Sequence, residues 1–396
     1  MEICPKEKCT ACYACVNACP FHCITMQEDE IGVLYPQVDE EQCKHCNVCL
    51  KTCPNHNEFK FNLPLKCYAA WIGDNNKRSI CASGGIGTTM SEFAVKGRQG
   101  VVFGSCYDKN FTPVIACTER LEELERFKGS RYVQSVVGIG TLAEVKCYLN
   151  SGRFVLYVGT PCQIAGLKTY LHHDYDNLVT VDLICHGVSP VRYFKEEVEE
   201  ILRQKRLGKL SDVRFRGNDR NNFCLTFWTD KSSRVYRCTA YSQYYFSGFL
   251  KGITLRENCY TCDYARPERI SDITIGDFIG LGKDEPFEDN PYNVSVVLPN
   301  TEKGLAFYKE VQQAIPYLHT VDRRYEEALK YGPSLRKPFP RHVLQKPFVA
   351  YCKEMGYVKA IRKVLWKDVL KNRASYLPKL LFVRIPRKLK KVVLGK

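Results

Sequence analysis

The feature that most constrains this 396-residue chain is a duplicated cysteine run. Cys9, Cys12, Cys15 and Cys19 precede Pro20, and Cys43, Cys46, Cys49 and Cys53 precede Pro54. Both copies read C-x-x-C-x-x-C-x-x-x-C-P and lie 34 residues apart. Three thiolates at steps of three wrap one face of an iron–sulfur cubane, and the proline turns the chain away so that the fourth thiolate reaches the other cluster. The spacing predicts one 4Fe–4S cluster on Cys9, Cys12, Cys15 and Cys53. A second falls on Cys43, Cys46, Cys49 and Cys19. Zinc is the alternative for C-x-x-C pairs, but a zinc site takes ligands in two pairs rather than a triplet plus Cys-Pro. Cys4 and Cys23 have no slot in this scheme and are expected to pack.

The chain holds 22 cysteines in all. Its apolar runs fall short of the roughly 18 residues of a membrane span. Its first residues, Met1, Glu2, Ile3 and Cys4, lack the pattern of a secretory signal. That combination suggests a cytoplasmic chain whose thiols stay reduced for metal. At 45% hydrophobic and 26% charged residues, the composition is globular, and the length suits two or three domains. Of the net charge of +15, the stretch from Lys359 to Lys396 carries +12, with thirteen Lys or Arg and one acid, Asp368. The near-neutral body argues against nucleic acid, whose binders more often spread basic residues over a groove or recognition helix. Within the tail, Ile361, Val364, Leu365, Val369 and Leu370 recur near helical spacing among basic residues. Such a helix can pack with a solvated basic face, dock an acidic redox partner, or touch an anionic membrane surface peripherally.

Beyond a linker at 55–66 the texture turns α/β. Strand-like runs at Cys67–Ile72, Val101–Cys106, Val114–Thr118, Phe154–Val158 and Leu178–Cys185 have helical patterns between several of them, at Thr141–Leu149, Gln163–Leu171 and Val191–Leu202. Hairpin-like strands follow at Asn222–Thr229 and Arg234–Thr239. Then come an aromatic helix at Tyr241–Leu250 and a strand at Asp272–Asp277. Residues 332–348 are interrupted by prolines.

A second set of cysteines sits in this body. YVGTPCQIAG places Cys162 past one strand, VDLICHGVS places Cys185 at the end of the next, and ENCYTCDYAR adds Cys259 and Cys262. Adjacent parallel strand ends share the edge where open α/β sheets bind ligands, so these thiols can converge on a third cluster. Each pattern also reads as packing, redox or zinc chemistry. CASGGIGTTMSEFAV leads Gly84, Gly85 and Gly87 into a helix. The missing Cβ atoms and the helix N-terminus suit a dinucleotide pyrophosphate, although a glycine-rich turn is more often structural. Of the cysteines left over, Cys81 beside this loop is the one to watch.

Together, ASGG, FKGSRYVQS, GTPCQ, LICHG and CYTCDYARPERISDITIGDFIG resemble the coenzyme F420 hydrogenase/dehydrogenase beta-subunit family over roughly 64–300. The resemblance implies FAD and a 4Fe–4S cluster in the body. It places that cluster on Cys162, Cys185, Cys259 and Cys262. It places the flavin near Ser83, Gly84, Gly85, Thr88, Lys128, Ser130, Tyr132, Gln134 and Ser135, with Thr160, Gln163 and Asp277 nearby. VQSVVG departs from the commoner acid- or threonine-bearing version of that stretch.

The implied fold is an α+β bacterial-type ferredoxin domain (1–60), an α/β flavin-binding domain with a mixed sheet (64–330) and a Pro-interrupted basic tail (331–396). The implied activity is oxidoreductase chemistry between 4Fe–4S clusters and FAD, and on to a two-electron partner such as coenzyme F420 or an unsaturated substrate. A redox partner protein or ferredoxin is expected. The alternative is a non-catalytic electron-transfer subunit feeding a separate reductase. No catalytic acid or base is identified; Tyr132, Lys128 and His186 are candidates only.

Overall fold

The structure, a computed structural model, describes residues 1–216, 223–229, 234–288 and 293–384. In the N-terminal segment the two cysteine runs lead into short helices α1 (Ala14–Ala18) and α2 (Val48–Thr52), and an antiparallel hairpin of β1 (Ile24–Glu28) and β2 (Leu34–Val38) lies between them. The middle cysteine of each run is flanked by left-handed residues. Ala11 (φ 51°) and Tyr13 (φ 65°) bracket Cys12, and His45 (φ 50°) and Asn47 (φ 60°) bracket Cys46. Each such residue costs roughly 1–2 kcal/mol. Paired at equivalent positions of both copies, they curl the chain so that successive thiols turn toward one centre.

The body is built on a sheet ordered β13-β3-β12-β11-β7-β6-β4-β5. In chain order its first strands are β3 (Cys67–Ile72), β4 (Val101–Tyr107), β5 (Pro113–Thr118), β6 (Val155–Gly159) and β7 (Leu178–Leu183). Helices α3 (Asn75–Ser79), α4 (Ile86–Lys96), α5 (Thr141–Asn150) and α6 (Pro161–Leu171) connect them, and α7 (Val191–Lys205) follows. A small antiparallel sheet of β8 (Asp212–Arg214), β9 (Cys224–Trp228) and β10 (Arg234–Thr239) leads to α8 (Tyr244–Leu250). The large sheet is completed by β11 (Ile273–Asp277), β12 (Ser295–Pro299) and β13 (Leu318–Arg323), with α9 (Glu302–Ala314) and α10 (Tyr325–Tyr331). The chain then forms α11 (Gln345–Met355) and α12 (Tyr357–Arg384). The strands β4, β6, β7 and β11 are mutually parallel, while β5, β12, β3 and β13 join antiparallel, so the sheet is mixed.

Period-two alternation sets the layers. Val101 and Phe103 of β4 and Val155 and Tyr157 of β6 pack with α5 and α6, whereas Val102 and Leu156 pack with α4 and α9. The N-terminal segment rests on the α5–α6 side and shares its core, Ala14 and Val16 lying in one cluster with Leu142 and Ile164. Asn17 fastens it there. Its Oδ1 accepts from the N–H of Gly140 (2.9 Å) and Leu142 (3.2 Å) at the start of α5, and its Nδ2 donates to Gly138 O at 2.9 Å. Gly166 on α6 makes room for the segment, because a Cβ there would stand 2.8 Å from Cys12 Cβ and 2.9 Å from its Sγ.

The run predicted as a strand over Leu178–Cys185 ends at Leu183, which leaves Cys185 beyond the ladder. The helix predicted at Tyr241–Leu250 is divided: a 3-10 turn at Ala240–Ser242 precedes α8, and Gln243 caps α8 by accepting from Phe246 N–H. The tail's apolar stripe is used internally. Ile361, Leu365 and Val369 are buried in a core shared with α7, α8 and α11, and Arg362 reaches the buried Glu197 at 3.2 Å. Lys363, Lys367 and Lys371 are exposed. Of the three uses expected for this helix, packing with a solvated basic face describes its central residues over 361–371. The tail beyond 384 lies outside the described residues. Among the described residues, no helix is long and apolar enough to cross a membrane.

Candidate functional site

Cysteine side chains gather around three cavities. The first is lined by Cys9, Cys12, Cys15 and Cys53. The second is lined by Cys43, Cys46, Cys49 and Cys19. The exchange of the fourth cysteine between runs is therefore present in the geometry: Cys53 stands with the first triplet and Cys19 with the second. Two thiols expected only to pack line these cavities as well, Cys4 the first and Cys23 the second. The Cys23 and Cys19 sulfurs are 3.4 Å apart. Hydrogen bonding from Cys4 pulls the Cys53 thiol down to about 6 and the Cys9 thiol down to about 7. Burial pushes Cys12 up to about 12.

The third cavity collects Cys162, Cys185, Cys259 and Cys262. Its construction follows from the sheet. The neighbouring parallel strands β6 and β7 end at one edge, delivering Thr160 and Cys162 from one and Cys185 from the other. Cys259 and Cys262 arrive on a 3-10 turn over Glu257–Thr261. A fully buried ion pair holds that arm against β7: Arg269 Nη2 lies 3.2 Å from Asp182 Oδ2. The same guanidinium donates through Nη1 to the carbonyls of Tyr264 (3.1 Å) and Arg266 (3.2 Å). Burial raises the thiol of each of these four cysteines, with Cys259 reaching about 12 and Cys262 about 11. Four converging thiols in a water-poor site fit a metal cluster, which binds them as thiolates.

A fourth and larger cavity, of about 290 Å³, runs along the same sheet edge. Of the sequence-predicted flavin residues, Ser83, Gly85, Thr88, Lys128, Ser130, Tyr132, Ser135, Thr160, Gln163 and Asp277 line it. Two do not. Gly84 donates its N–H to Ser295 Oγ at 2.9 Å and is packed so tightly that a Cβ would stand 2.3 Å from Ala70 O. Its role is to let the loop touch the sheet. Gln134 is buried and turned toward Arg256, accepting at 2.9 Å.

At one end of this cavity α4 begins after Gly85 (φ 84°) without a side-chain cap, so the first N–H groups, of Ile86, Gly87 and Thr88, lack intrahelical partners and lie at the cavity wall. Lys128 stands at this cavity, 2.7 Å from Glu125. Arg216, 4% exposed, binds Asp277 at 2.6 Å, and among the described residues its buried Nε has no hydrogen-bond partner. An orphaned cationic donor and a bare helix N-terminus in one cavity fit an anionic ligand with a long apolar body, the description of a flavin dinucleotide. Tyr132 adds an aromatic wall, stacked on Phe249 with centroids 5.0 Å apart.

His186 bonds Phe249 O at 3.1 Å, and burial lowers its pKa, which favours the neutral ring. Cys81 is buried beside Thr88 and its thiol is raised by burial, so it is inert.

The first, third and fourth cavities are neighbours that share wall residues. Thr10 lines both the first and the third. Thr160, Cys185, His186, Gly187 and Val188 line both the third and the fourth. Sequence reasoning missed Arg216 and Arg256. Neither belongs to a motif in the chain, and only the fold brings Arg216 to the wall of the large cavity and Arg256 against residues of the first and third.

Residues 152–322 match the model of the C-terminal region of the coenzyme F420 hydrogenase/dehydrogenase beta-subunit family, and residues 8–57 match the 4Fe-4S dicluster domain. Among solved structures, a chain from the F420-reducing [NiFe] hydrogenase complex of Methanosarcina barkeri is 17% identical, with 77% of this chain and 92% of that chain covered and a TM-score of 0.46. No curated protein matches. The chain is therefore related, through residues 152–322, to the C-terminal region of the coenzyme F420 hydrogenase/dehydrogenase beta-subunit family, and carries at residues 8–57 a region matching the 4Fe–4S dicluster domain.

Proposed function

We propose that the protein is an iron–sulfur flavoprotein oxidoreductase with three 4Fe–4S clusters and one FAD, exchanging electrons with a redox partner protein and with a two-electron partner such as coenzyme F420 or an unsaturated substrate. The observation that carries this reading is the succession of three neighbouring cavities: thiol-lined, thiol-lined, then lined by cationic and apolar groups, with Thr10 shared at the first junction and Thr160, Cys185, His186, Gly187 and Val188 at the second. Clusters pass single electrons and a flavin exchanges one or two, so the pair supplies one-to-two-electron conversion when bound.

The residues of the chain have distinct tasks in this reading. Cys9, Cys12, Cys15 and Cys53 hold one cluster, Cys43, Cys46, Cys49 and Cys19 the second, and Cys162, Cys185, Cys259 and Cys262 the third. Ser83, Gly85 and Thr88 present the α4 N-terminus to the pyrophosphate, with Lys128 and Arg216 as counter-charges. Thr160 and Gln163 fix the junction with the third cluster: Gln163 Oε1 accepts from Thr160 N–H at 2.9 Å, and Gln163 Nε2 donates to Ser135 O at 3.0 Å. Neutral His186 closes that junction against water, packed 4.0 Å from the Phe339 ring. Tyr132 supplies an apolar face for a planar ring.

The test is anaerobic purification of the chain alone, followed by assays of dye reduction driven by reduced coenzyme F420, NADH or reduced ferredoxin. Turnover with any of these donors, dependent on added FAD, supports the enzyme. Cluster reduction without turnover on any of them supports the alternative, a subunit that delivers electrons to a separate reductase.

A further inference from the structure

Arg256 and Arg269 are the two largest fully buried side chains, each 1% exposed. They are compensated differently. Arg269 faces the buried carboxylate of Asp182. Arg256 faces neutral groups only: Nε donates to Asn258 Oδ1 (3.2 Å), Nη1 to Gln134 Oε1 (2.9 Å) and Leu34 O (3.2 Å), Nη2 to Cys9 O (2.9 Å) and Leu34 O (3.1 Å), and the Tyr35 ring centroid lies 5.5 Å from the guanidinium carbon. No carboxylate among the described residues pairs with it. These bonds satisfy its hydrogens but leave its charge, which a guanidinium cannot shed. A net charge in a dry interior calls for an opposite charge nearby.

Its position shows where that charge belongs. The side chain ends on the carbonyl of Cys9, at the first cavity. Its backbone carbonyl accepts from Cys259 N–H at 3.0 Å, and its partner Asn258 lines the third cavity. Arg256 thus stands in the wall between two sets of four thiols, bridging the N-terminal segment and the body. None of its contacts reaches the second cavity. A cubane held by four thiolates is net negative in both oxidation states, and reduction adds one more negative charge.

We propose that Arg256 is the shared counter-charge of the two clusters it separates, raising the reduction potentials of both relative to the cluster on Cys43, Cys46, Cys49 and Cys19. The inference rests on the three-cluster reading. One cation between two sites moves both in the same sense. It therefore leaves the step between them nearly level and makes the step inward from the remote cluster more favourable. Arg256 is a positioning and tuning residue; it holds no iron.

The test uses the full chain, purified anaerobically as wild type, Arg256→Gln and Arg256→Lys, with iron quantitation and EPR-monitored redox titration. In Arg256→Gln, two of the three clusters become about tenfold harder to reduce, 59 mV for a one-electron couple, and the third stays unchanged. Arg256→Lys keeps the charge and stays within a few-fold of wild type. Unchanged potentials in a fully loaded Arg256→Gln, or equal shifts in both variants, overturn the proposal. If Arg256→Gln loses iron, retention of iron by Arg256→Lys supports the charge role, and loss from both overturns it. A wild type with about eight irons instead of about twelve fails the three-cluster reading itself, whatever the variants do.

Discussion

The N-terminal cysteine centres and the body centre are built in opposite ways. In the N-terminal segment each triplet falls within one short run, and left-handed residues on both sides of the middle cysteine aim the thiols locally. In the body, four thiols between Cys162 and Cys262 come from two strand ends and a separate turn. They meet only because β6 and β7 lie side by side and a buried ion pair draws the turn against them. A centre coded by spacing tolerates damage elsewhere in the molecule, whereas a centre coded by topology depends on the scaffold that assembles it.

The largest expected contrast comes from removing a thiol. Cys259→Ser should lower bound iron from about twelve to about eight per chain. The two N-terminal EPR signals should survive, and reduction of the flavin from the N-terminal clusters should slow at least a hundredfold in stopped-flow absorbance. Next is Asp182→Asn, which strands Arg269 as an uncompensated buried charge. A loss of about 3–5 kcal/mol in urea unfolding is expected, with selective loss of iron from the body centre. No mutation of comparable distance from Cys12 or Cys46 should strip the N-terminal clusters.

Gly166→Ala probes the seam between the two regions. The added methyl meets Cys12 Cβ and Sγ at under 3.0 Å, so a loss of about 1–3 kcal/mol is expected from overpacking. The cluster on Cys12 should be perturbed and the one on Cys46 left as it was. The smallest effect is Arg216→Ala. It removes one cation from the large cavity and should weaken FAD retention about tenfold, or roughly 1.4 kcal/mol, in fluorescence titration, with iron content unchanged.

How much of this was legible in the sequence follows the same division. The crossed assignment of Cys19 and Cys53 could be read from spacing because the ligands and the Cys-Pro steps are local. The strands β3 to β7 announced themselves as short apolar runs. So did β9, β10 and β11, but β13 did not: it is an edge strand whose residues are half-buried or exposed, and nothing in Leu318–Arg323 marks it. Gly84 and Gln134 were placed at the flavin by a resemblance that follows motifs. The backbone, however, turns Gly84 into the sheet and Gln134 onto Arg256. Arg216 and Arg256 carried no signal, since a lone arginine gains meaning only from what surrounds it after folding. The tail's apolar stripe was visible in sequence, but its use stayed open between packing, a redox partner and a membrane surface, because the complementary core of α7, α8 and α11 is not visible there.

The central claim is that twelve thiols of this chain form three cluster sites leading to a flavin site. The most direct measurement is iron, acid-labile sulfide and flavin content per chain after anaerobic purification. The account predicts about twelve irons, about twelve sulfides and one FAD. About eight irons with no flavin would contradict it, leaving a two-cluster protein whose body cysteines serve only packing.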